Sequence, residues 1–392
     1  MSPELAHLTA LLRTIFDLGA EDDRGSPPPP SDWHRWAALV ESNRLSPLLG
    51  NRLSAGMRIT GMPEALAREL AAAAAEEARE AAVREVALAG LRATLRAAGL
   101  DWIELKGVAV AADLYAARCE RAMTDADLLL PSPEACLAAG ESLAGAGFRI
   151  ARDMPGHHHL APLRDHSTLL AVELHHNLTA PPLSPAHLET LWARRVPAGE
   201  GWRFDDPARL LHHALHIAND PVDTPLLRNL VECGALAARL GAEAWEDLER
   251  LAEQVGRRGI LDEVMSLASE LTGCPGMKAA PSPLTFWMRR RLEWHGHPTR
   301  LGRGAPGGEG TGDLAHAEGR LPPAWIGAPA ALCSVLTLRG RKTGAGRQPL
   351  RAGLSVGAGS ATLVHRTDTG RCICSPAGGD RLDHRPAGGD PG

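Results

Sequence analysis

The chain has 392 residues, 44% of them hydrophobic, and a formal charge of −5 at pH 7. That length can bury a full core in two or three units, and so mild a negative charge excludes a protein that coats nucleic acid by bulk electrostatics, leaving a local basic groove as the only route to such a partner. Membrane spans are excluded as well: the best apolar run, Ala71 to Ala75, ends at once in Glu76 and Glu77, far short of the roughly 18 residues a span needs.

The opening Met1-Ser2-Pro3-Glu4 carries no basic leader, and the seven cysteines show no paired framework. A cytoplasmic protein with free thiols is expected. Leu5, Leu8, Leu12 and Ile15 recur at helical spacing. The run Pro27 to Pro30 breaks that helix as a short stiff linker, and Asp32 caps a second one through Trp33, Trp36, Leu39 and Val40. A long Ala/Glu/Arg-rich helix starts near Pro63, carries Leu88, Leu91 and Leu95 on one face, pairs Glu80 with Arg84, and stops at Gly99.

After Gly99 short strands alternate with helices. Strands are expected at Trp102 to Leu105, Asp125 to Leu130, Phe148 to Ala151, His157 to Leu163 and Leu169 to Leu178, with helices from Val108 to Tyr115 and from Pro133. This pattern predicts an α+β domain with a small, mixed, mostly antiparallel sheet. From Asp205 the chain turns helical again, at Leu210 to Ile217, Leu226 to Leu240, Ala244 to Val255, Ile260 to Leu271 and Trp287 to Trp294. The resulting division is a helical region 1–99, an α+β domain 100–200, a helical region 201–296 and a Gly/Pro/Arg-rich tail 297–392 without sustained period, expected to be disordered. Its composition also matches an out-of-frame reading of a GC-rich gene.

The chemistry concentrates in Thr124-Asp125-Ala126-Asp127-Leu128. Residues two apart on a strand share a face, so Asp125 and Asp127 present paired carboxylates, which repel unless a cation lies between them. Glu173 and His175 share a face of a second strand in the same way. If the two strands are neighbours, Glu173 completes a three-carboxylate site for one or two magnesium ions, one on a triphosphate and one on an attacking hydroxyl. Upstream, Lys106-Gly107 ends a strand and opens a helix, which suits phosphate: glycine admits close approach, the helix N–H groups favour anions, and Lys106 adds charge. Arg121 is equally suited to a phosphate contact or a surface salt bridge.

Other motifs carry less. His157-His158-His159 reads as a wet hairpin, because neighbouring strand residues face opposite ways. His212 and His216, one helical turn apart, read as packed histidines. Cys372-Ile373-Cys374 has no second pair at zinc spacing. Gly302 to Gly307 matches a dinucleotide fingerprint without its strand and helix, and Lys342-Thr343 lacks phosphate-loop glycines.

Taken together, Leu105-Lys106-Gly107, Leu114-Tyr115, Arg121, Asp125 to Leu129, Gly147-Phe148 and Val172-Glu173-Leu174-His175 resemble the polymerase-β-like nucleotidyltransferase superfamily. The resemblance is to a bacterial branch whose members mostly lack assigned substrates. It extends upstream to Asp32-Trp33 and Leu45 to Leu49, and downstream to Leu211 to His216. It implies a nucleotidyltransferase sheet flanked by helical regions, and transfer of a nucleoside monophosphate from an NTP to a hydroxyl, with magnesium and release of pyrophosphate. By position it makes Asp125, Asp127 and Glu173 the catalytic metal ligands, and it places Lys106 and Gly107 at the nucleotide's phosphate turn, where the superfamily usually has Gly-Ser. The acceptor stays open among small molecules, peptides and proteins. A nucleotide-binding or scaffold protein that kept the fold without turnover is the alternative.

Overall fold

Local chemistry sets most helix ends in the computed structural model, which describes residues 1–18, 28–150, 158–165, 170–179, 181–219, 225–274, 282–294, 362–366 and 372–376. Ser2 caps α1 (Pro3–Ile15) by accepting the Leu5 N–H at 3.2 Å. Asp32 caps α2 (Trp33–Ser42) as expected, accepting the N–H groups of His34 and Arg35 at 2.9 and 3.1 Å. The long helix is α4 (Glu64–Ala97), and it stops where Gly99 turns left-handed at φ 67°. Between them lies α3 (Ser46–Ser54), which was legible only as a motif and not as a helix.

Helices α3 and α4 cross at Gly50. A Cβ there would strike the Leu70 carbonyl and lie 2.8 Å from the Ala74 Cβ. Because the obstacle is backbone, it cannot swing aside. Gly50→Ala is expected to lose about 1–3 kcal/mol by overpacking, seen as a lower urea midpoint at unchanged m-value.

The middle of the chain forms β1 (Ile103–Glu104), α5 (Lys106–Leu114), β2 (Asp125–Leu129), α6 (Pro133–Gly145), β3 (Arg149–Ile150), β4 (Leu163–Arg164), β5 (Ala171–His175), α7 (Pro185–Trp192), β6 (Arg195–Ala198) and β7 (Gly201–Phe204). The strands join one sheet in the order β3-β4-β5-β2-β1-β7-β6. β2 runs parallel to β5 and β1 parallel to β7, and the other four pairings are antiparallel. The fold is therefore α+β with a mixed, mostly antiparallel sheet between helical regions. The α7 and β6–β7 segment was not anticipated. Arg195 and Pro197 hide the alternation of β6, which as an edge strand tolerates proline, and Arg195 is stacked between Trp192 and Trp202 at 5.3 and 5.1 Å.

The helices α8 (Asp206–Asn219), α9 (Leu226–Ala238), α10 (Ala242–Gln254), α11 (Arg258–Thr272) and α12 (Pro283–Trp294) follow where the apolar periodicity predicts them. Two apolar cores lie on opposite sides of the sheet. Ala126, Leu128, Val172 and Leu174 pack with Leu88, Leu91 and Leu95 of α4 and Leu143 of α6. Leu105, Leu129 and Phe204 join a larger core with α1, α2, α3, α8, α9 and α11. The regions before and after the sheet thus share one core. Separately, β8 (Thr362–Arg366) and β9 (Cys372–Pro376) pair as an antiparallel hairpin within the tail. The fingerprint at Gly302 and the pair Lys342-Thr343 lie outside the described residues. Among the described residues, Cys119, Cys136, Cys233 and Cys274 are free thiols, and no helix is long and apolar enough to cross a membrane.

Candidate active site

Strand alternation decides which side chains meet. On β2, Ala126 and Leu128 enter the smaller core, so Asp125, Asp127 and Leu129 face the larger one. The parallel register sets Asp127 opposite Glu173 and Asp125 opposite Ala171. Asp127 and Glu173 are therefore side by side, with His175 two residues along the same face. Ligand atoms of Asp127, Glu173 and His175 all lie within 4.8 Å of one another. That group includes the imidazole, which the sequence placed on this face without assigning it a role, while Asp125 stands beside the group and not within it.

Two nitrogen groups converge on one carboxylate oxygen. Lys106 Nζ and His175 Nε2 are each 2.8 Å from Asp127 Oδ1, and His175 Nε2 is 3.4 Å from Glu173 Oε2. Burial alone would raise the Asp127 carboxyl, but Lys106 and His175 hold it well below the usual carboxylate range. Burial would likewise depress Lys106 and His175, and their contacts with Asp127 raise both instead. Asp125 has no such partner. Burial, and next the charge of Asp127, push it up to about 6, against the opposing pull of Lys106. This like-charge crowding is what a divalent cation relieves, and two or three carboxylates with an adjacent imidazole are a donor set that fits one.

Histidines form a shell around this point. His158 and His159, expected on a wet hairpin, are partly buried with rings 5.3 and 5.2 Å from that of His175. The cause is tertiary: His159 forms an antiparallel bridge with His175 at the end of β5. Burial, then the charges of His175 and His159, bring His158 down to about 3. His157 lies outside the described residues. His212 packs on Phe204 at 5.8 Å, and burial followed by Lys106 holds both His212 and His216 well below the ordinary imidazole value.

Arg121 is not on the surface: it is 5% exposed and bound side-on to Glu232 of α9, with Nε and Nη2 donating at 2.8 and 3.1 Å. Tyr115 Oη also donates to Glu232 at 2.6 Å, and His213 Nε2 lies 3.0 Å from it. Gly107 is tightly packed. A Cβ there would lie 2.6 Å from Arg121 Nη1 and 2.8 Å from the Met123 sulfur, so the glycine admits protein side chains beneath the turn. Glu232 escaped the sequence reading. Its one signal was a carboxylate amid the apolar stretch Leu226 to Ala238, one turn after Arg228.

A family model described as uncharacterised nucleotidyltransferase matches residues 29–273, which contain every residue of this site. No curated protein matches the chain.

Proposed function

The chain belongs to the uncharacterised nucleotidyltransferase family, and we propose that it is a magnesium-dependent enzyme moving a nucleoside monophosphate from an NTP such as ATP to a hydroxyl of a small molecule, peptide or protein. One observation carries this reading: adjacent parallel strands set Asp127 against Glu173, with Asp125 two residues away and the Lys106 ammonium on the same carboxylate.

Asp125, Asp127 and Glu173 would hold the ion, with His175 beside them. Magnesium bound there would neutralise phosphate oxygens and acidify the acceptor hydroxyl. Glu173 is the natural proton acceptor: its side chain is 23% exposed against 3% for Asp127, so an incoming hydroxyl reaches it first. The acceptor oxygen attacks the α-phosphorus, its proton passes to Glu173, and the bond to the departing pyrophosphate breaks. Lys106 and the first turn of α5 at Gly107 would carry the phosphate charge. Arg121 acts behind that turn rather than on the nucleotide.

The 2.8 Å contact between Lys106 and Asp127 also favours a second reading, because a built-in cation supplies charge that an ion would otherwise bring. On that reading the protein binds nucleotide without turnover. Incubation with each α-labelled NTP, magnesium and a cell extract separates the two. Label on an acceptor, with pyrophosphate in equal amount, is expected; nucleotide binding with no pyrophosphate from any NTP would establish the second reading.

A further inference from the structure

We propose that Glu232 is a positioning residue for the Lys106–Gly107 turn, acting through Arg121 from the helical region that follows the sheet. The proposal deepens the transferase reading and rests on it for its functional consequence.

Lys106 is one of only three lysines among the chain's 42 Lys and Arg residues, the others being Lys278 and Lys342. It stands at the first position of α5 with φ 42°, left-handed for a residue with a side chain. Such a conformation is strained and persists only where its surroundings over-determine it. Here the surroundings can be traced. The Gly107 backbone is pressed onto Arg121 Nη1 and the Met123 sulfur so closely that no Cβ fits. Arg121 cannot yield, because its other two nitrogens are both bound to Glu232. The chain after it cannot yield either: Arg228, four residues before Glu232 on α9, donates to the Ala122 carbonyl at 3.0 Å. Tyr115, just past the other end of α5, is tied to the same carboxylate.

The floor beneath the turn is therefore set from α9 and not by the turn's own sequence. Glu232 is 0% exposed and more than a hundred residues away in the chain. Its side-chain partners are Tyr115, Arg121, His213 and Arg228, not Lys106 or any of the proposed metal ligands, so its influence on them runs through Arg121. A carboxylate that merely neutralised buried arginines would contribute stability and leave the pose of Lys106 unchanged. A positioning residue would govern both.

Three lysines make the test direct. The full chain labelled at lysine 15Nζ gives at most three side-chain ammonium signals, and Lys106→Arg identifies the one from Lys106. In Glu232→Gln, and independently in Arg121→Gln, this signal should move toward that of a free lysine and its protons should exchange about tenfold faster or more, as protection by the buried pair is lost. The affinity for Mn2+·ATP should fall by about tenfold while that for Mn2+ alone changes less than about twofold, because the carboxylates stand on the strand pair and not on the turn. Measurements are made below each variant's melting temperature, so that loss of fold is not counted. A Lys106 signal at its wild-type position in both variants would overturn the proposal. A wild-type chain that binds Mn2+ but no nucleotide would sink the transferase reading instead, and the Lys106 signal would still decide whether Glu232 positions the turn.

Discussion

Asp127→Asn should lower labelling of the acceptor by at least about a thousandfold, the scale of losing a charged group aimed at the reacting phosphate. The substitution keeps the side chain's shape and removes the charge on which the site converges. Lys106 and His175 both lean on Asp127 Oδ1, and Glu173 lies opposite it in the strand register. No neighbour replaces that anion: Asp125 lies outside the group formed by Asp127, Glu173 and His175, and Glu173 is the more exposed group. Asp125→Asn should therefore cost less than Asp127→Asn, because the group it removes lacks the Lys106 and His175 contacts that converge on Asp127. Circular dichroism should show both variants folded, since the opposite faces of β2 and β5 still pack in the smaller core. Retention of more than a tenth of wild-type labelling by Asp127→Asn would remove this residue from the reaction.

Glu232→Ala is expected to have the largest effect on stability, about 3–5 kcal/mol, because it leaves Arg121 and Arg228 buried without their anion. In a chain of this size that corresponds to a melting temperature lower by roughly 10 °C. The same residue imposes a pH dependence with a definite sign. Burial would raise the Glu232 carboxyl, but Arg121, His213 and Arg228 overcome it and hold the group well below its ordinary value of 4.5. A carboxyl depressed by folding contributes stability that is complete above its unfolded pKa and drains away as the pH falls toward the folded one. Wild type should therefore lose melting temperature more steeply below about pH 4.5 than Glu232→Gln, whose amide does not titrate in that range. Parallel slopes for the two proteins would show that the buried carboxylate contributes no such term.

Both effects arise from one arrangement of the fold. Asp127 sits where two parallel strands bring their carboxylates together, and Glu232 sits where a later helix reaches the chain just before those strands. The first group of residues was readable in advance and the second was not. The alternation in Asp125 to Leu130 and in Val172 to His175 states which side chains share a face. Whether the two strands are neighbours is a long-range pairing, and alternation says nothing about it; here the register supplied it.

Other misses have the same origin. His158 and His159 looked like solvent-facing residues because a run of three histidines has no apolar period, yet a single bridge to His175 tucks them against the site. Arg121 was read as equally suited to a surface salt bridge or a phosphate contact because its buried partner is 111 residues downstream. The β6–β7 hairpin was hidden by charge and proline in an edge strand, where one side of the backbone needs no partner.

By itself the amino-acid order determined most of the helices, the Asp32 cap, the strands around Asp125 and Glu173 and which side chains share a face on each, because each depends on spacing within about a dozen residues. Tertiary structure alone decided that Lys106 and His175 share one oxygen of Asp127, and that Arg121 turns inward to Glu232. The physical reason is that a buried charge takes the partner folding brings to it, and the distance along the chain to that partner leaves no periodic trace in the residues between.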